Sequence, residues 1–346
     1  MTRGGGWGRG AILLWVVVAS GGNAGAQARA PARDSTWWVP KPSEGSPARR
    51  AGNVEDVVDV ARDSVGRIYL ADAGRRAVLV LDARLRVMGT LGRPGSATGE
   101  YRAPRAVRIG GRDTVYALDE LMHRVYVYRW VAGRPELVRQ VSLPFPVSDF
   151  CPQPSGGMLV LGYHARHRLH AISPAGRLLA SAAPFRPPQS PMLEDYLTPG
   201  RLACLPNARY VVTSESVPRV ERFEGPTVQA LVRSGVDSVW PVRKIEFATG
   251  RTPGGQPSMT FSAVPEGYHM PGRASATARG LVISARVDGR GDRQADDSLR
   301  VFELDGGRVT RRWQLVGRLF ALGGEEVLHV APSGGTRLAR WTHLPK

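Results

Sequence analysis

The feature that most restricts the fold of this chain is an internal repeat. Three segments, Gly66–Val87, Asp113–Arg134 and Gly157–Leu178, align without gaps. Each holds an apolar run, a polar turn of about six residues and a second run alternating apolar and polar, the two-residue period of a half-buried strand. Later stretches keep the pattern with altered residues: Arg209–Phe223, then Gly280–Val287 with Ser298–Leu304, and last Glu326–Trp341. The marker strand of each unit starts near Ile68, Val115, Leu159, Tyr210, Leu281 and Val327. These starts are mostly about 45–50 residues apart, the length of a four-stranded propeller blade.

The spacing predicts an all-β fold: a six-bladed β-propeller of four-stranded blades over residues 57–346. One long interval carries a Gly-, Pro- and Ser-rich insertion at about 235–272. The last unit, ending at Thr336–Leu344, lacks a fourth strand. A segment near residues 35–40, within an N-terminal stretch 27–56, is expected to supply it and close the ring, leaving no long unpaired edge. The 41 glycines and 27 prolines suit a protein of many tight turns.

The connector Leu91–Pro104, with spaced glycines, a Gly-x-aromatic step and a proline, resembles that of NHL-repeat proteins. Met122-His123-Arg124-Val125 and Arg166-His167-Arg168-Leu169 are similar to the Asn-His-Arg-apolar step of that family, over roughly residues 57–180. The resemblance implies a six-bladed propeller of an exported bacterial kind. It also implies structural roles for His123 and His167, and for Asp72 and Asp119 at the ends of second strands, where such an aspartate orders the next turn. Six-bladed relatives include metal-dependent lactonases and an amidating lyase, but neither ligand set is recognisable here.

The N-terminus addresses the compartment. Arg3 and Arg9 precede the apolar run Ala11–Ala19, and Ala24-Gly25-Ala26 is an A-x-A cleavage pattern. Residues 1–26 are expected to be a signal peptide, removed before Gln27. The run is too short for a mature transmembrane helix, which needs about 20 residues, and there is no cysteine for a lipid anchor at the cleavage point. A soluble exported protein, periplasmic or extracellular, is expected. In such a compartment Cys151 and Cys204, the two cysteines, read as one disulfide between the first strands of adjacent blades.

The formal charge is +17. Of 47 basic residues only Lys41, Lys244 and Lys346 are lysine, and the excess runs along the whole chain. Export argues against nucleic acid as partner despite the charge. Arginine recurs where the chain comes into a blade: Arg105, Arg201, Arg273 and Arg318. In propellers the second-to-third-strand turns share that face, adding Arg75, Arg76, His123, Arg166 and His167. Such a cluster suits carboxylates or phosphates at the channel mouth. The competing reading is structural, with Glu55, Asp56 and Asp149 pairing these arginines. His164, His167 and His170 have metal-like spacing but are read as structural or surface histidines. No metal, cofactor or catalytic triad is assigned. The expected function is a monomeric, non-catalytic recognition scaffold for a protein, peptide or anionic glycan. The alternative is a hydrolase or lyase using the same mouth.

Overall fold

The computed structural model describes residues 37–38, 54–184, 200–214, 219–238, 245–251, 257–263, 268–277, 280–288, 298–305, 308–323, 326–331 and 336–340. The signal-peptide expectation lies outside them. Strands dominate, and the only helices among the described residues are single 3-10 turns at Gly111–Asp113 and Val228–Ala230. No helix among them is long and apolar enough to cross a membrane.

Among the described residues, four repeat units form complete antiparallel blades of four strands, in place of the six expected. The first is Val57–Arg62, Ile68–Asp72, Ala77–Leu81 and Val87–Leu91. The second is Pro104–Ile109, Val115–Asp119, Arg124–Val131 and Arg134–Ser142. The third is Asp149–Pro152, Met158–His164, His167–Ile172 and Leu178–Pro184. The fourth is Gly200–Leu205, Arg209–Ser214, Arg219–Glu224 and Val232–Ser238.

The last two units depart from four strands in opposite directions. One sheet orders Tyr268–Thr277, Gly280–Asp288, Ser298–Asp305 and Arg308–Val316, and then gains a fifth strand. That strand is Trp37–Trp38, pairing in parallel with Gln314 and Leu315. The segment expected to close the ring thus adds to the outer edge of this sheet, where an unpaired ladder was open to it. Among the described residues, the final sheet holds three strands, Arg318–Gly323, Glu326–Val330 and Thr336–Arg340. The last and first units instead meet through packing. Val57, Val60 and Leu70 share an apolar cluster with Phe320, Leu328 and Val330, and Arg62 pairs with Glu326.

The expected insertion also divides. Its first residues belong to the outer strand of the fourth blade, Val232–Ser238. Trp240–Tyr268 belongs to a separate compact unit holding the antiparallel pair Ile245–Arg251 and Pro257–Ala263.

The first strands of successive blades lie side by side around a shared axis, and the core fills the spaces between sheet faces. Tyr69, Val78 and Val80 of the first blade pack with Val107, Ala117 and Tyr126 of the second. This explains why the middle strands depart from the half-buried alternation expected. Ala77–Leu81 and Val115–Asp119 are buried at every position because a neighbouring sheet covers each face. Outer strands face solvent, as at Val87 and Met88. In the Leu91–Pro104 connector, a side chain at Gly92 (φ +71°) would strike the ring of Tyr101. Glycine is required there to let that fully buried tyrosine dock.

Cys151 and Cys204 form the disulfide, with Cα atoms 5.8 Å apart. It joins the first strands of the third and fourth blades, and its Cα separation lies in the range a bridge requires.

Candidate anion-binding mouth

The face carrying the candidate arginines is built by two aspartates. Asp72 is buried and accepts N–H bonds from Glu55, Asp56 and Arg75 at 2.9, 3.0 and 3.1 Å. Asp119, at the same repeat position, accepts from Arg102, Ala103 and Met122 at 2.7, 3.2 and 3.1 Å. One carboxylate therefore holds both the connector coming into its blade and the turn between strands two and three. The ordering role implied by the family resemblance is the one these two residues perform. Arg76 and His123 occupy equivalent turn positions with φ of 52° and 48°.

The third blade uses a different device. Tyr163 stands where the aspartate would be, and a two-residue turn of Ala165 and Arg166, both at positive φ, joins the strands. This suits the strand twist of a tight hairpin. His167 is therefore not equivalent to His123. It begins the third strand, with its Nδ1 2.8 Å from the Ala165 carbonyl.

The predicted arginines divide into those the structure brings together and those it does not. Arg105 and Arg201 sit second in the first strands of blades two and four. Arg201 Nη1 donates to the Arg105 carbonyl at 3.1 Å, spanning from one blade to the next but one. Arg105 Nε lies 3.8 Å from Glu120. Arg318 is paired with Asp56 at 2.6 Å and also donates to the Val57 carbonyl at 2.7 Å, tying the last sheet to the first blade. Here the structural reading of the arginine holds. Arg273 lies within the strand Tyr268–Thr277 and not at its start. Arg75 is half-buried and Arg76 exposed on the first blade's turn.

Below the mouth lies a charged cluster that sequence reasoning missed. Arg108, buried on the first strand of blade two, pairs with Asp59 of blade one and Asp149 of blade three. Its Nε donates to the Phe150 carbonyl at 3.1 Å. Asp59 also accepts from Val107 N–H at 2.9 Å, and Asp149 from Leu202 N–H at 2.9 Å. Strong opposing charges hold the Arg108 guanidinium above its usual range despite burial. The available signal was a charge inside an apolar first-strand run, Val58-Asp59-Val60 and Val107-Arg108-Ile109.

The histidine run of blade three is inward-facing in part. His164 stacks on Phe145 at 4.7 Å. His170 is fully buried, and its Nε2 lies 3.1 Å from both the Gly162 and His167 carbonyls. Since carbonyls only accept, Nε2 carries the proton and Nδ1 accepts from Ser181 Oγ at 2.9 Å. Burial pushes the His170 pKa down to about 4. An unfolded histidine titrates near 6.5, so between these values the unfolded chain binds more protons. The His170 contribution is therefore complete above about pH 6.5 and is lost as pH falls to about 4, roughly 3 kcal/mol in all. The expected result is a urea midpoint that drops across that window. H170Q, which keeps an amide donor toward the two carbonyls, should flatten this part of the profile. An unchanged slope in H170Q would assign the pH dependence elsewhere.

Four-stranded antiparallel blades packed face to face around a common axis define this chain as a β-propeller. No family model matches it, and no curated protein matches it. Solved structures with a similar fold include a Bacteroides fragilis protein described as exported, at 12% identity and a TM-score of 0.53 over 85% of this chain and 82% of that one. Virginiamycin B lyase from Staphylococcus aureus is similar at 9% identity and a TM-score of 0.51, over 84% and 96% of the two chains. A catalytically inactive form of that lyase with quinupristin gives 10% and 0.50, over 87% and 98%. At such identities the likeness is one of fold.

Proposed function

We propose that this propeller is an exported recognition scaffold that binds an anionic ligand, an acidic peptide, protein segment or glycan, at the arginine-bearing mouth of its channel. The observation that carries the reading is the meeting of Arg105 and Arg201 from blades two and four, on the face where Arg75, Arg76 and His123 also sit. Guanidinium groups placed on one face of the propeller add positive potential there and offer bidentate geometry to carboxylate or phosphate. Export is supported by the leader pattern at Ala24–Ala26 and by the Cys151–Cys204 bridge, which suits an oxidising compartment. The NHL-type reading of the repeats is supported by the shared roles of Asp72 and Asp119. The lyase alternative draws only on likeness of fold, and one fold hosts many activities.

The test is a double substitution, R105Q with R201Q, assayed by calorimetry against polyglutamate and heparin. Affinity is expected to fall about tenfold at low salt, with the difference shrinking as salt rises and the Debye length shortens. Neutralising Arg84 and Arg112, exposed on turns of the opposite face, is the control. An equal loss there would show general basicity in place of a mouth site.

A further inference from the structure

Outside the mouth, one pair of side chains has the arrangement of an activated nucleophile. His170 and Ser181 stand directly opposite one another on the third and fourth strands of blade three. The Ser181 hydroxyl donates to His170 Nδ1 at 2.9 Å, while Nε2–H points at the carbonyls of Gly162 and His167, both at 3.1 Å. The hydroxyl, the base and the group orienting the base are thus all present, with main-chain carbonyls in the place a carboxylate takes in a serine triad.

Three further features act on the same place. Phe145 packs on the His170 ring at 4.6 Å and on His164, holding the imidazole in one orientation. Gly162 supplies its carbonyl because the connector runs close by. A side chain there would strike the Pro146 carbonyl at 2.4 Å, so the backbone on this side is fixed. Ala183, two residues beyond the serine, has φ of 56°, a left-handed conformation unusual for alanine in a strand. Ser181 itself is half-buried on the outermost strand, while His170 is covered.

We propose that Ser181 is a nucleophile toward activated acyl and phosphonyl groups, with His170 as its base. In the acyl case the Oγ–carbon bond forms as the hydroxyl proton passes to Nδ1. The carbonyl electron pair moves to oxygen and then returns to expel the leaving alcohol, which takes the proton from Nδ1. Water reverses the sequence and frees the serine. The imidazolium formed between these steps is disfavoured by burial, a cost that the Gly162 and His167 carbonyls offset in part through Nε2–H, so it is a transient proton carrier. The pair sits on the third and fourth strands of blade three, whereas Arg105 and Arg201 sit on first strands, so its substrate is an ester or amide and needs no anionic group.

The experiment is labelling of the full mature chain with a fluorophosphonate probe, in which an O–P bond forms, fluoride leaves and the proton goes to His170. Mass spectrometry is expected to place the adduct on Ser181 in the native protein and to find none after unfolding in urea. S181A should carry no adduct there, and H170Q should label about 100-fold more slowly or less, in line with the loss of a positioned base. H170Q also tells a reactive serine from one that only satisfies a buried histidine, because a structural hydrogen bond predicts no labelling in any form. Native Ser181 that stays unlabelled, or labelling that is unchanged in a folded H170Q, overturns the proposal. Neither result bears on polyanion binding at Arg105 and Arg201.

Discussion

Replacing Arg108 with methionine is expected to lower the stability of the folded chain by about 3–5 kcal/mol, the cost of breaking a buried ion pair from one side. The substitution leaves Asp59 and Asp149, exposed at 1% and 0%, without the guanidinium that lies between them. Asp59 would keep the Val107 N–H, and Asp149 the Leu202 and Phe150 N–H groups, but neither would keep the guanidinium charge. Chemical denaturation should show a lower midpoint at an unchanged slope, which marks lost stability rather than a changed unfolded state. The triple variant D59N, R108M, D149N should recover more than half of the loss, because amides of the same shape remove the two buried negative charges that the guanidinium had faced. A single-variant cost under about 1 kcal/mol would mean that water or rearrangement already compensates these groups.

Loss of the Cys151–Cys204 bridge should cost about 4 kcal/mol, the chain-entropy value for a loop of this size. The two residues are 53 apart in sequence and belong to neighbouring first strands. The double alanine variant, or the reduced wild type, should unfold at correspondingly lower urea. Equal midpoints with and without reductant would show that the bridge adds nothing the packing of blades three and four does not already supply. The strand Asp149–Pro152 carries both the disulfide and an Arg108 partner. The two losses should therefore fail to add, with a coupling of about 0.5–3 kcal/mol in a double-mutant cycle.

Much of this architecture was legible in the residues. Repeat length and turn chemistry mark the antiparallel units, and the paired positions of Asp72 and Asp119 mark the turns they order. The cysteine pairing was legible because both residues fall at the same place in adjacent units. Strand count at the two ends was not. Whether Trp37–Trp38 joins the final sheet or the one before depends on which outer edge is unpaired and within reach, and no local pattern encodes that. The arginines were readable as a recurring position, but pairing separates them. Arg318 is tied to Asp56, whereas Arg201 reaches the backbone of Arg105.

The sequence by itself determined a chain of repeated antiparallel units with turn-ordering aspartates and one inter-blade disulfide. These follow from local chemistry: a two-residue side-chain period, backbone conformations set by short polar residues, and the spacing of two cysteines in a periodic chain. Only the tertiary structure decided which polar groups lie inside. Asp59, Arg108 and Asp149 come from three different blades, and His170 meets Ser181 across a strand pair. A charge or an imidazole can be buried only where partners from distant segments converge on it. That convergence is a property of how the sheets pack around the axis, and no single segment carries it.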